Sequence, residues 1–165
     1  MVTETDRAWL AGIIDGEGSL SLFTNREKDG STKIKPVLNF VNTDMAIVNK
    51  ALSILEEAGC SPYIVKRVHK NPKHLDIVEV KATSTAQIEK WLLLVQPYLF
   101  GVKKAKAEIL LRFVRRRMAK RQEAGRNDLA QYSEEDWQDV QNFRSSTTTR
   151  ETSFEDDIVS SYVKA

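Results

Sequence analysis

Residues 10–18 read Leu-Ala-Gly-Ile-Ile-Asp-Gly-Glu-Gly, which places two carboxylates, Asp15 and Glu17, at the end of an apolar helical stretch. Carbonyl groups exposed at a helix C-terminus carry partial negative charge, so acids there are unfavourable unless a cation is held with them. Gly12 and Gly16 are four residues apart. They share one helical face and remove side chains where a second backbone could come close. An Asp-Gly turn would account for the glycines but not for the clustered acids.

Two predicted hairpins carry a second group. Their faces turned away from the apolar side present Ser21, Asn25, Lys35, Asn39, Tyr63, Arg67, His69, His74 and Asp76. Ordinary solvation explains such a face. Yet Asn, Lys, Arg, His and Asp also match the donors and acceptors on base edges, and a two-stranded ribbon fits the major groove of DNA. Phe23, Val37, Val41 and Val65 share this face and are out of place against water alone.

A third group is basic. Nine lysines and arginines lie between Lys103 and Arg121 with one acid, Glu108, so they cannot all pair within that stretch. Phosphate contacts with salt-dependent affinity are the expected use. The chain as a whole carries only +2, but residues 63–126 hold 16 of the 25 basic and 5 of the 23 acidic residues, a net +11 against −9 elsewhere. That split suits a polyanionic partner.

The elements that must position these groups follow from spacing. The 165 residues, 41% of them hydrophobic, are expected to form one packed domain over 1–165, with a core at 5–121 and C-terminal helices and a loop at 127–165. Thr3, Thr5 and Asp6 offer caps for a helix through Trp9, Leu10, Ile13 and Ile14, which stops where Gly16 and Gly18 permit positive φ. Residues 18–25 alternate as a strand, Asp29-Gly30 marks a hairpin turn, and residues 34–42 return. Asn42 or Thr43 caps a helix with the stripe Met45, Val48, Leu52 and Leu55, ended by Gly59 and Pro62. Residues 63–69 and 75–82 form a second hairpin. Ser84 and Gln87 are spaced as a capping box for a helix bearing Ile88, Trp91, Leu92 and Val95, and Pro97 breaks it. A long helix follows over about 102–121. This order predicts an α+β fold, a four-stranded antiparallel sheet with helices on one face. Farther on, residues 133–143 read as a helix with Ser133 and Asp136 as its capping pair and Trp137 and Val140 facing inward. Residues 145–153 read as a polar loop, and residues near 154–162 as a short helix. One cysteine, Cys60, excludes an internal disulfide scaffold. The acidic start and the lack of 18 consecutive apolar residues predict a soluble intracellular protein without membrane contact.

Residues 10–18 resemble the LAGLIDADG motif at seven of nine positions, counting Glu17 as the acid equivalent, with Ile13 and Gly16 as departures. The αββαββα order, Gln96-Pro97-Tyr98-Leu99, the lysines after it and the Thr/Arg-rich stretch near Arg150 extend the similarity. The chain resembles a single-motif LAGLIDADG homing endonuclease, whose sheet is saddle-shaped. The resemblance implies a homodimer with Trp9, Gly12, Ile13 and Gly16 at the contact. It implies that Glu17 and the Gly16 carbonyl bind magnesium, with manganese a possible substitute, and that Glu17 and Lys103 act in cleavage. Lys104 and Lys106 are alternatives to Lys103. Asp15 would cap the partner's helix or a neighbouring turn. Asp44 and Val48 fall where relatives place polar and basic groups, a role Val48 cannot fill. The expected readers of double-stranded DNA are Ser19, Ser21, Asn25, Lys35, Asn39, Tyr63, Arg67, His69, His74 and Asp76, with Lys120, Arg121 and Arg150 on phosphates. The implied activity is metal-dependent cutting of both strands at a long, nearly palindromic site, leaving 3′ overhangs and supporting intron mobility, with no small-molecule cofactor. An RNA maturase and a non-cleaving nucleic-acid-binding regulator are the alternatives.

Overall fold

Thr3 starts the first helix, α1 (Glu4–Glu17), with a reciprocal cap. Its hydroxyl accepts the Asp6 N–H at 3.1 Å, and the Asp6 carboxylate accepts the Thr3 N–H at 3.2 Å. The structure, a computed structural model, describes residues 1–68, 70–71, 75–124 and 131–146. Hydrogen bonds from Thr3 hold the Asp6 carboxyl below its ordinary value. A lowered folded-state value stabilises above the unfolded pKa, and that stability is lost as pH falls through the folded value. Thr3→Ala is therefore expected to lower the melting temperature at pH 7, with a smaller difference from wild type at pH 2; circular dichroism melts at both values check this.

The chain continues as β1 (Gly18–Arg26), β2 (Thr32–Asn42), α2 (Met45–Glu57), β3 (Tyr63–Arg67) and β4 (Ile77–Ala82). After these come α3 (Thr85–Val95), a 3-10 turn at Gln96–Tyr98, α4 (Gly101–Ala124) and α5 (Glu134–Ser145). All strand pairs are antiparallel in the order β1-β2-β4-β3. Alternation decides the faces: Leu20, Leu22, Ile34, Leu38, Phe40, Val78, Val80 and Ala82 are buried under the helices. Trp91 of α3 anchors the layer, its ring 6.4 Å from that of Phe40. The expected α+β fold is the one observed. No helix among the described residues is long and apolar enough to cross a membrane.

Local departures from expectation have identifiable causes. Asp44, not Asn42 or Thr43, caps α2 by accepting the Ala46 N–H at 2.8 Å, while Asn42 accepts the Asp44 N–H at 2.8 Å. The buried stripe of α2 is Val48, Ala51, Ile54 and Leu55, and Met45 is half exposed. Ser84 accepts the Gln87 N–H at 3.3 Å, but the Gln87 side chain takes the Ser61 N–H at 2.7 Å, so the capping box forms in one half only. A tertiary partner has displaced the local one.

Positive φ is not what ends α1. Gly16 is helical and Gly18 is extended at φ −87°. A Cβ on Gly18 would come within 2.5 Å of the Ile14 carbonyl oxygen, so the glycine is required by close approach of the helix's last turn. Gly30, at φ +84°, does need its freedom in the β1–β2 turn. Ser145, expected in the loop at 145–153, ends α5 instead, while residues 147–153, His69, His74, Arg150 and the helix expected at 154–162 lie outside the described residues.

Candidate active site and nucleic-acid interface

The close approach at Gly18 passes α1 directly into β1, which fixes Glu17 at the junction of helix and sheet. Glu17 is the last residue of α1 and is exposed, as is Gly16. The last turn of α1 has no basic residue of its own. Lys103 of α4 supplies one: its Nζ donates to the carbonyls of Ile14 at 2.7 Å and Asp15 at 2.5 Å. This cation meets the negative end of the helix dipole. Lys104 is exposed, and Lys106 lies 5.1 Å over the Phe143 ring. Burial, and then the charge of Lys103, push the Lys106 amine below its ordinary value. Of the three lysines, Lys103 is the one beside the acidic turn.

Asp15 Oδ2 accepts the Phe100 N–H at 3.2 Å, just before α4, so this acid caps a neighbouring turn within its own chain. Its Oδ1 is buried without a partner among the described residues. Asp44 is spent on the α2 cap and Val48 is core, so neither reaches the acidic turn through these contacts. Among the described residues no group of three His, Cys, Asp or Glu could hold a metal by itself.

Gly12 and Gly16 form an open stripe on α1. A Cβ at either would meet nothing within 4 Å. Trp9 and Ile13 beside them are half-buried, and the Lys50 amine lies 4.4 Å over the Trp9 ring. Phe100, tied to Asp15 through its N–H, is 84% exposed.

The sheet's other face is open. Across it run Ser19 opposite Asn39, Asn39 opposite Lys81, and Lys81 opposite Tyr63. Ser21 faces Val37, Phe23 faces Lys35, and Asn25 faces Lys33. The two serine hydroxyls are 3.4 Å apart, and Lys35 pairs with Glu27 at 3.2 Å. Arg67 ends this face opposite Ile77. The predicted readers Ser19, Ser21, Asn25, Lys35, Asn39, Tyr63 and Arg67 therefore do share one surface.

Asp76 does not. It lies just before β4 and pairs at 3.2 Å with Lys66, whose register partner Val78 belongs to the helix-covered side. Strand alternation puts it one residue out of phase with Ile77, Glu79 and Lys81. Glu79, by contrast, was not among the expected site residues. Its carboxylate accepts from Asn39 at 2.9 Å and Arg67 at 3.1 Å, with Lys81 at 3.8 Å. Its position two residues from Lys81 on the polar alternation was the available signal.

Solved structures similar to this chain include DNA-bound homing endonucleases. I-CvuI, a homing endonuclease in complex with the I-CreI target in 2 mM Mg, has a TM-score of 0.52 at 21% identity, over 68% of this chain and 67% of that one. I-CvuI with its Sro1.3 target in 2 mM Ca gives 0.58 at 16% identity, over 88% and 84%. The LAGLIDADG homing endonuclease I-GzeII with its DNA target gives 0.57 at 16% identity, over 87% of this chain. The chain has the LAGLIDADG homing endonuclease fold. It spans 44% of I-GzeII and 84% of I-CvuI in the Sro1.3 complex. No protein-family model matches the chain, and no curated protein is similar to it in sequence.

Within this LAGLIDADG fold, the basic helix is not the bare phosphate-binding surface that its charge predicts. Arg112 reaches Asp139 at 2.5 Å, Arg116 reaches Asp136 at 2.9 Å and Asp139 at 2.5 Å, and Arg117 meets Asp136 at 3.5 Å. Arg115 pairs with Glu89 at 2.8 Å. Asp136 and Asp139 are buried on α5, facing α4, which is why Trp137 turns outward and is 37% exposed. Trp137 packs edge-on against Tyr132, with ring centroids 5.7 Å apart. Burial disfavours the Arg116 charge, but the hydrogen bonds it donates to Asp139 and Asp136 outweigh that and hold the guanidinium above its ordinary value. Lys120 donates to the Gln131 carbonyl at 2.9 Å, and Arg121 is exposed.

Proposed function

We propose that the chain is a homodimeric, magnesium-dependent endonuclease that cuts double-stranded DNA at a specific site. The observation that carries this reading is the exposed Glu17 at the end of α1, whose last-turn carbonyls Lys103 engages, next to a glycine stripe where a Cβ meets nothing within 4 Å among the described residues. Glycine inside a helix costs about 0.5–1 kcal/mol relative to alanine, so two on one open face imply a use outside the monomer. A second copy packed along Gly12, Ile13, Gly16 and Trp9 would bring two Glu17 carboxylates together.

Each copy offers a carboxylate from Glu17 and the carbonyl of Gly16, hard oxygen donors that fit magnesium or, as a substitute, manganese. One chain is an incomplete site, and two copies with a DNA phosphate would complete it. Magnesium, when bound, neutralises the phosphate and lowers the pKa of a coordinated water. Glu17 holds that cation at the duplex backbone. Lys103, seated on the Ile14 and Asp15 carbonyls, keeps a positive charge near the developing charge on phosphate. The open sheet face presents Ser19, Ser21, Asn25, Lys35, Asn39, Tyr63 and Arg67 to base edges, with Arg121 and Lys120 nearer the backbone. The nearly palindromic site, the 3′ overhangs and a part in intron mobility come from the family resemblance.

Incubating the protein with a randomised duplex library tests this. Breaks at one sequence with magnesium and none with chelator are expected, and retention without breakage would overturn it. A second expectation concerns the stripe. Gly12→Leu should leave a folded chain, because a Cβ there meets nothing within 4 Å among the described residues, but shift gel filtration from dimer to monomer. An unchanged elution volume would place the interface elsewhere.

A further inference from the structure

We propose that Glu79 is a positioning residue for base readout, fixing how Asn39 and Arg67 are presented to the duplex. The inference rests on the endonuclease reading above. Glu79 is 8% exposed and is the one buried charged residue of the open face among the described residues. An acid at the centre of a surface meant for a polyanion weakens attraction, so it requires a use beyond net charge.

The contacts supply that use. Straight across from Glu79 are Val41 and Val65, which offer no polar partner. Glu79 instead reaches diagonally: Oε1 accepts from Asn39 Nδ2 at 2.9 Å, and Oε2 accepts from Arg67 Nη2 at 3.1 Å. Lys81 Nζ stands 3.8 Å from the same Oε2 and 5.2 Å from the Tyr63 ring centroid. A carboxylate accepts hydrogen bonds and cannot donate them. Asn39 must therefore turn its NH2 toward Glu79, which settles the sense of the amide and leaves Oδ1 and a second N–H for DNA. That pair complements the N6–H donor and N7 acceptor of adenine in the major groove. Arg67 commits one N–H to Glu79 and keeps four, on a side chain 69% exposed, in a form suited to the two acceptors of guanine. The brace ties β2, β4 and β3 together, so these groups are ordered before DNA arrives and lose less freedom on binding.

The test begins with a target selected by the wild-type protein from randomised duplex DNA. Base preference at every position is then profiled for wild type, Asn39→Ala, Glu79→Gln and Glu79→Asp. Glu79→Gln keeps the volume but adds an amide donor, which frees Asn39 to flip and removes the anionic anchor of Arg67. Asn39→Ala should mark one position per half-site, and Glu79→Gln should lower preference at that same position by about tenfold. Preference at positions away from Asn39 and Arg67, and the melting temperature, should hold. Affinity for non-cognate duplex should rise, and Glu79→Asp should recover part of the lost preference. Wild-type preference in Glu79→Gln, a uniform loss at all positions with a lower melting temperature, or an Asn39→Ala profile that marks no position would each overturn the proposal while leaving the endonuclease reading intact. A wild-type protein that selects no duplex would overturn both.

Discussion

Glu17→Gln is expected to reduce double-strand cleavage by about a thousandfold or more while DNA binding stays unchanged or tightens. The substitution keeps the size and the helix end but removes the charge that would hold a divalent cation against the phosphate. Metal-assisted charge stabilisation is worth several kcal/mol, and each 1.36 kcal/mol is tenfold in rate. Binding should not suffer, because Glu17 is exposed at the end of α1 and the proposed DNA contacts lie on the open sheet face instead. In chelator the same change should raise the melting temperature of the proposed dimer, in which two Glu17 carboxylates would otherwise repel each other with no cation between them. Turnover near wild type would remove Glu17 from the chemistry. A lower melting temperature in chelator would mean that Glu17 is structurally paired.

Asp136→Ala should be among the most destabilising single changes. Asp136 is 1% exposed and does three things at once. It accepts the Ser133 N–H at 3.0 Å, completing the cap of α5, and it pairs with Arg116 at 2.9 Å and Arg117 at 3.5 Å. Arg117 is itself 7% exposed. Removing one partner of a buried ion pair costs about 3–5 kcal/mol, because the other charge stays buried. For a chain of this length that is on the order of 10 °C in melting temperature. Glu135→Ala is the contrast: Glu135 stands 3.7 Å from Arg116 with a side chain 76% exposed. Exposed pairs contribute about 0–1 kcal/mol. Equal melting temperatures for the two variants would show that the α4–α5 clamp does not hold the helices together.

The motif was legible because its information is local. The helix end, three glycines, two acids and the turn into β1 all fall within nine residues, and strand alternation assigned most of the open face correctly. Lys103 was favoured by the family resemblance, with Lys104 and Lys106 as alternatives. The choice between Lys103, Lys104 and Lys106 depends on how α4 is rotated against α1, and no spacing within α4 encodes that. The basic helix was misread for the same reason. Counting acids between Lys103 and Arg121 finds Glu108 alone, while the acids that neutralise Arg112, Arg116 and Arg117 lie on α5. Asp76 and Glu79 were misassigned against the alternation, which puts Glu79 in phase with Lys81 and Asp76 one residue out of phase. The expected start of the strand at 75 rather than Ile77 does not alter that phase. Gly18 shows a further limit: its type was noted, yet the reason for it is a steric contact with Ile14 rather than a backbone angle.

The most direct test of the central claim is nucleotide-resolution mapping of both strands of a selected duplex after incubation with the protein, with and without magnesium. One break in each strand is expected, staggered across the minor groove with 3′ overhangs, only when the divalent cation is present. A duplex that is bound at its selected site and remains intact at every magnesium concentration would contradict it.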